Sequence, residues 1–493
     1  MLLLGIDVGT SSIKVSLVDA YSQLCIASAQ YPEYETPILS PKPGWAEQSP
    51  EMWWDHVQHA IWKMHEQQSY NPSDIIAIGI GYQMHGLVAV DKNQEVLFDS
   101  IIWCDSRAVE TGEQAFHSIG EEKCLTHLLN SPGNFTAAKL GWVKNNKPEL
   151  YARIDKIMLP GDFIAMKLTG EISTSIASLS EGIFWDFKEN QLSEDILRYF
   201  KFNKDLIPAT KEVFSEHGYV KDDIAKTLFL KAGIPVTYKS GDQPNNALSL
   251  NVLEPGEVAA TAGTSGVIYG VSDHLTFDKE SRVNTFAHVN HSATQNRLGV
   301  LLCINGTGIL NRWVRDLMAP GKGYSQMNAE AAKIKHGSEG LRVLPFGNGV
   351  ERMLQNKMVG AHFHNIDLNL HTQAHIFRAT QEGIAFAFRY GLDILRENGM
   401  NPTVIRAGKA NLFLSELFTE AFVNATQVPV ELYNSDGSVG AAIGAGIGAK
   451  VYPSSKEAFK NAKVIRLVEP GNKGEYEDYY QDWLKFLNRQ LEV

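Results

Sequence analysis

The chain has 493 residues, 44% of them apolar and 20% charged, the balance of a folded protein too long for one core; two domains are expected and a third is possible. A net charge of −11 with no clustered lysine or arginine excludes a nucleic-acid partner, whose phosphates demand a basic surface, but not ATP, whose charge Mg²⁺ and backbone N–H groups can carry. Four scattered cysteines fit a reducing compartment, the Gly/Ala-rich run over 439–449 is well short of the ~20 residues of a membrane span, and the apolar start runs straight into Asp7, so a cytoplasmic protein without signal peptide or membrane segment is expected.

Residues 2–8 read as a buried strand, 13–18 as a second and 24–30 as a third, the first two joined by the tight turn Gly9-Thr10-Ser11-Ser12. Residues 51–68 have helical periodicity and start well, after Ser49-Pro50. A strand over 75–80 ends at Gly81-Tyr82-Gln83-Met84-His85-Gly86, and 88–96 reads as a short hairpin. Strands alternating with helices indicate an α/β chain. The pattern restarts with a strand over 236–239 that leads into Ser240-Gly241-Asp242-Gln243, and residues 256–271 again run apolar strand, Gly263-Thr264-Ser265, apolar strand. This internal repeat implies two domains of similar topology, 1–250 and 251–493. Beyond it come a strand over 300–304, a helix opened by Gly306 and containing Trp313, a long amphipathic helix over 374–396, a strand over 403–407 and a helix over 412–426.

A Gly-Thr turn between strands can bind phosphate, because glycine lets the backbone approach and successive N–H groups face one concavity. Thr10, Ser11 and Thr264 add hydroxyls, and Asp7, at the end of the first strand, could hold Mg²⁺ directly or through water. The plain alternative is a hairpin turn with a capping acid. Asp242, after an apolar strand, could accept a proton from a substrate hydroxyl and aim that hydroxyl at a γ-phosphate; the alternative is an ordinary Gly-Asp turn. No GxxxxGK[ST] motif occurs. Gly444-Ala445-Gly446-Ile447-Gly448-Ala449 matches GxGxxA but lies in a helical run, where close packing explains the glycines. His371 and His375 lack a third ligand for zinc. Trp53, Trp54 and Trp62 are at core spacing, and Trp45 and Trp103 lie in loops, where a tryptophan either packs or stacks on a sugar.

Taken in order, Leu4-Gly5-Ile6-Asp7-Val8-Gly9-Thr10, Trp45-Ala46-Glu47-Gln48-Ser49-Pro50, Gln83-Met84-His85-Gly86, Trp103-Cys104-Asp105-Ser106-Arg107, Phe135-Thr136-Ala137-Ala138-Lys139-Leu140, Leu159-Pro160-Gly161-Asp162-Phe163 and Gly263-Thr264-Ser265-Gly266 resemble the FGGY family of carbohydrate kinases over nearly the whole chain. The resemblance implies two ribonuclease-H-like (actin-like ATPase) domains around a central cleft, with ATP mainly on the second, a small sugar mainly on the first, and a homodimer. It makes Asp242 the general base and, with Asp7, a Mg²⁺ ligand. It assigns Gln83, Met84, His85, Asp242 and Gln243 to the sugar, Thr10, Ser11, Gly263, Thr264 and Gly306 to the phosphates, and Gly408 and Asn411 to the adenosine.

The expected reaction is D-xylulose + ATP to D-xylulose 5-phosphate + ADP. Kinases of ribulose, fuculose, a heptulose or glycerol are the near alternatives; an actin-like or chaperone-like ATPase and a sugar-sensing pseudokinase are the distant ones, opposed by the Gln83-Met84-His85 loop and by retention of both aspartates. The chain departs from xylulose-specific members at Gln243-Pro244, from glycerol-specific ones at Met84-His85, and from the usual glycine triplet at Arg406-Ala407-Gly408-Lys409.

Overall fold

The computed structural model describes residues 1–67, 70–471 and 473–492. Two sheets organise it. The first holds β1 (Leu2–Val8), β2 (Ile13–Asp19), β3 (Cys25–Tyr31), β4 (Ile75–Tyr82) and β5 (Val236–Gly241) in the order β5-β4-β1-β2-β3. The β1–β2 and β2–β3 pairs are antiparallel, and β1–β4 and β4–β5 are parallel. The second holds β6 (Val258–Ala262), β7 (Gly266–Ser272), β8 (Asn284–Ala287), β9 (Leu298–Ile304), β10 (Ile405–Gly408), β11 (Val430–Tyr433) and β12 (Val464–Val468) in the order β8-β9-β7-β6-β10-β11-β12. Its inner strands repeat the first sheet: β9–β7 and β7–β6 are antiparallel, β6–β10 and β10–β11 parallel. This is a duplicated ribonuclease-H-like, actin-like arrangement, in which Gly9-Thr10 (after β1) and Gly263-Thr264 (after β6) occupy equivalent turns.

The inner strands β1, β4 and β9 are apolar and buried along almost their whole length, as in sheets covered on both faces, while the edge strands β3 and β12 are largely exposed. Helix α1 (Pro50–Gln67) buries Trp53 and Trp54 against β2 and β3; residue 68, included in the sequence-predicted helix, lies outside the described residues. The hairpin expected over 88–96 forms as a short one: Val90 bridges Val96, and the Asp91 and Leu97 N–H groups donate to the Glu95 and Ala89 carbonyls. Asp91 shapes its turn by accepting from the N–H groups of Asn93 and Glu95, and Val88–Val90 also pairs with Lys156–Met158. Helices α2 (Pro160–Thr169) and α3 (Ile176–Glu181) pack against β5. There Lys239 and Asp162 form a fully buried ion pair at 2.6 Å, which braces the strand that ends at Asp242.

Helix α4 (Asp242–Ser249) follows β5 directly. The helix expected from Gly306 starts two residues later, as α5 (Gly308–Met318), because the Gly306 N–H is bonded to Glu351. Helix α6 (Gln373–Glu397) matches its expectation within a residue at each end. The expected helix over 412–426 breaks into a 3₁₀ turn (Asn411–Leu414) and α7 (Glu416–Thr426), since the Ser415 hydroxyl caps the latter by accepting from the Phe418 N–H. The glycine-rich run forms α8 (Gly437–Gly448), which lies on the first sheet and packs against α4. Glycines permit this close approach: a Cβ on Gly79 would stand 2.0 Å from the Ala441 carbonyl oxygen, and one on Gly5 1.8 Å from that of Ser438. Helices α4 and α8 therefore tie the second half of the chain to the first sheet. No helix among the described residues is long and apolar enough to cross a membrane.

Candidate active site

Asp7 is the penultimate residue of β1 and pairs across the hairpin with Lys14. Lys14 Nζ lies 2.5 Å from Asp436 Oδ2, and Asp436 caps α8 through the N–H groups of Ser438 and Val439. Burial, then the Asp436 charge, push the Asp7 carboxyl up to about 6 against the opposing pull of Lys14. The Gly9 turn is closed by a bond from its N–H to the Ser12 carbonyl. Thr10 is engaged within its own domain: its hydroxyl donates to Gln83 Oε1 at 3.0 Å and accepts from Trp103 Nε1 at 3.0 Å, while Gln48 Nε2 donates to its carbonyl. Ser11 is exposed, with its hydroxyl in no such bond.

Asp242 is the first residue of α4, with Gly241 as N-cap. A helix N-terminus normally favours a carboxylate. Here burial and the neighbouring Asp7 charge prevail and push the carboxyl up to about 7. The next side chain, Gln243, carries a buried Oε1 with no hydrogen-bond partner among the described residues, an acceptor left for a ligand.

The sugar-loop candidates meet Asp242 through Gly241. A Cβ at Gly241 would stand 2.7 Å from Met84 Cγ and 2.8 Å from Glu181 Oε2. His85 has φ 64°, a left-handed conformation costly for a side-chain-bearing residue, and it is held on both sides. Its N–H donates to Glu181 Oε1, and Lys139 Nζ donates to its carbonyl at 2.8 Å. The His85 Nδ1 lies 3.2 Å from the Glu181 carbonyl oxygen. A carbonyl only accepts, so Nδ1 carries the proton and Nε2 is the free acceptor. Burial, then the Lys139 charge, drive the imidazole down to about 3, so it is neutral. Burial also raises the Glu181 carboxyl well above the ordinary range. Glu181 and Lys139 are site residues that sequence reasoning did not single out; Lys139 lay inside a quoted motif, while Glu181 carried no local pattern.

On the second domain, Thr307 Oγ1 donates to the carbonyls of Gly263 and Thr264, and the N–H groups of Gly308 and Ile309 donate to the same two. This pins the second Gly-Thr turn against the start of α5. Beside it opens a cavity of about 310 Å³ lined by Gly263, Thr264, Asn311, Tyr324, Asn411 and Ser415, among others. Gly263, Thr264 and Asn411 are thus brought together. Gly306 and Gly408 are not among the lining residues. Gly306 donates its N–H to Glu351 and abuts the Pro345 carbonyl, 1.9 Å from where a Cβ would be; Gly408 ends β10.

Among the described residues no three histidine, cysteine or acidic groups form a metal cage. Asp7 and Asp242 instead form a pair of mutually repelling carboxylates, a donor set that fits Mg²⁺, which takes one or two carboxylates and completes its shell with water and phosphate.

Two ribonuclease-H-like sheets with equivalent Gly-Thr turns, a cavity of about 310 Å³ beside the second turn and the neighbouring Asp7 and Asp242 carboxylates fit a phosphotransferase of the actin-like ATPase fold. Residues 2–249 match the N-terminal domain of the FGGY family of carbohydrate kinases and residues 258–449 its C-terminal domain, so the chain belongs to that family and is a carbohydrate kinase. It is 27% identical to xylulose kinase of Escherichia coli K12 over 92% of this chain and 91% of that one, and 28% identical to xylulose kinase of Lactococcus lactis over 99% and 97%. The fold matches that of xylulose kinase from Rhodospirillum rubrum (TM-score 0.87, 24% identity, 100% of both chains). It also matches glycerol kinase from Plasmodium falciparum with ADP (TM-score 0.88, 20% identity, 99% of this chain and 98% of that one).

Proposed function

We propose that this kinase phosphorylates D-xylulose at its terminal hydroxyl, giving D-xylulose 5-phosphate and ADP from ATP, with Asp242 as general base. The observation that carries the reading is the Asp242 carboxyl, beside Met84 and Glu181 through Gly241 and poised at about 7, where a general base serves best near neutral pH. The sugar's C5 oxygen attacks the γ-phosphorus while its proton passes to Asp242. The bond from that phosphorus to the β–γ bridging oxygen breaks, and ADP leaves with the electron pair. Asp7 and Asp242 would hold Mg²⁺, which would supply charge stabilisation for the phosphates. Ser11 and the turn at Gly263-Thr264 bind phosphate oxygens, and Asn411 borders the adenosine. Met84, neutral His85 and Gln243 orient the ketose, the last two through acceptors free for hydroxyl donors. Closure of the cleft excludes water that would otherwise take the phosphoryl group.

The xylulose kinases among its relatives favour a ketopentose over glycerol, as does Met84-His85 in place of charged polyol contacts. Sugar-stimulated ADP release across D-xylulose, ribulose, fuculose, heptulose, gluconate and glycerol tests the reading. The highest kcat/KM is expected for D-xylulose, and a tenfold preference for any other compound would refute that assignment.

A further inference from the structure

Arg352 has no part in the reaction described above, yet its guanidinium reaches the first domain at Phe135. It begins a 3₁₀ turn (Arg352–Leu354) on the second domain, directly after Glu351. The Glu351 carboxyl accepts from the N–H groups of Asn305 and Gly306, both at 2.9 Å, so the backbone that carries Arg352 is anchored to the end of β9. The side chain points the other way. Its Nη1 donates to Asn284 Oδ1 at 2.5 Å, and its guanidinium carbon lies 5.9 Å from the ring centroid of Phe135, a residue of the first domain. Phe135 is itself 4.8 Å from the His85 ring, centroid to centroid, and Phe286 closes the same cluster at 5.3 Å from His85.

Among the described residues no carboxylate lies within ion-pair distance of Arg352; its side chain donates to the Asn284 amide oxygen. Arg352 is part-buried; a guanidinium partly withdrawn from water without a counter-charge is costly, and it carries five N–H donors. His85 is neutral and adds no negative charge, and neither does Lys139 at the same loop, whose ammonium burial pulls down to about 7. The group is therefore a set of donors awaiting an oxygen-rich ligand. Through Phe135 the arginine lies next to the His85 loop, and it is not among the residues lining the cavity beside Thr264 and Asn411.

We propose that Arg352 is a sugar-binding residue contributed by the second domain, its guanidinium donating to a hydroxyl or carbonyl oxygen of the bound substrate beside His85. The inference rests on the reading of Met84-His85 as the sugar loop. It makes the sugar a bridge between Arg352 of the second domain and His85 of the first.

The test uses the full-length chain and whichever compound of the panel above the wild type turns over best, so a sugar other than D-xylulose sinks the substrate assignment without touching this proposal. Arg352→Ala is expected to raise the KM for that sugar about 10- to 100-fold, the loss of a charged hydrogen bond, while the KM for ATP stays within about twofold. Millimolar guanidinium ion should restore part of the sugar affinity of the alanine variant and leave the wild type unchanged, a rescue that a merely structural arginine would not show. Should the alanine variant fail to fold, Arg352→Lys, which keeps the charge and loses the fork, is expected to show a smaller rise in the same constant. An unchanged sugar KM in the folded variants, or a loss confined to kcat or to the KM for ATP, overturns the assignment.

Discussion

The backbone N–H of His85 donates to the side-chain carboxyl of Glu181 at 3.0 Å, and the imidazole Nδ1 of the same histidine lies 3.2 Å from the Glu181 carbonyl oxygen. One glutamate thus fixes both the left-handed backbone and the ring tautomer of the sugar loop. Burial raises the Glu181 carboxyl well above the ordinary range, which favours its uncharged form, and an amide is the nearest uncharged replacement. Glu181→Gln is expected to keep the sugar KM within about threefold. Glu181→Ala leaves the His85 N–H unpaired, a cost of about 1–3 kcal/mol, and should raise the KM about 5- to 150-fold. Steady-state kinetics with varied sugar decide it; equal effects from the two variants would detach Glu181 from the loop.

Asp242 must be ionised to accept a proton, and its carboxyl sits at about 7 in the free protein. The sugar kcat/KM is therefore expected to rise with pH through an apparent value near 7 and level off above it. Asp242→Asn should lower kcat by about 10²- to 10⁴-fold and abolish that limb. A pH profile of each protein measures both effects, and a variant within twofold of wild type removes Asp242 from the role.

The same shift bears on stability with the opposite sign. A carboxyl raised from 3.8 to about 7 on folding binds more protons folded than unfolded in that window, so stability falls as pH rises across it. Above the folded value the native state carries the whole penalty of the buried charge. Asp242→Asn should consequently raise the melting temperature at pH 8 and change it little at pH 4. A variant less stable than wild type at pH 8 would show that the carboxylate is compensated in a way the geometry does not provide.

Much of this site is legible in the chain because its parts are local. Gly9-Thr10 and Gly263-Thr264 read as equivalent turns because each is flanked by its own pair of apolar strands, and Asp7 and Asp242 stand out because each ends such a strand. What escapes is made by distant pairs. His85 and Glu181 are 96 positions apart, and no periodicity links them. The same holds for Arg352, which meets Phe135 across the cleft, and for Thr10, whose hydroxyl is taken by Gln83 and Trp103 instead of being left for phosphate. The second partner of Val88–Val90 has a similar cause: it is a strand more than 60 residues away, and a local reading finds only the nearer partner in the 88–96 hairpin.

Asp7 and Asp242 are the carboxylates expected to hold Mg²⁺. Asp7→Asn removes one donor while leaving the sugar loop untouched. The half-saturating Mg²⁺ concentration for turnover should rise at least about tenfold, with the sugar KM within about threefold, since Mg²⁺ depends on few protein oxygens. Chelation should abolish turnover of the wild type, and added Mg²⁺ should restore it. A Mg²⁺ dependence identical in wild type and variant would move the metal elsewhere.

The joint between the second half of the chain and the first sheet depends on α8 lying at backbone distance from β1 and β4. A Cβ at Gly79 would stand 2.0 Å from the Ala441 carbonyl oxygen, a main-chain atom that cannot rotate away, so Gly79→Ala forces the helix off the sheet. Such overpacking costs typically 1–3 kcal/mol, and the upper end is expected here. The displacement also reaches the site, because Asp436 at the start of α8 pairs with Lys14 opposite Asp7. Gly79→Ala should therefore lose stability and activity together. Gly323→Ala, with φ −77° and nothing within 4 Å of the new methyl, should stay within about 0.5 kcal/mol of wild type and keep full activity. Urea midpoints and kcat of the two variants make the comparison; equal stability would mean that α8 can move outward freely, and the two halves would not be coupled through it.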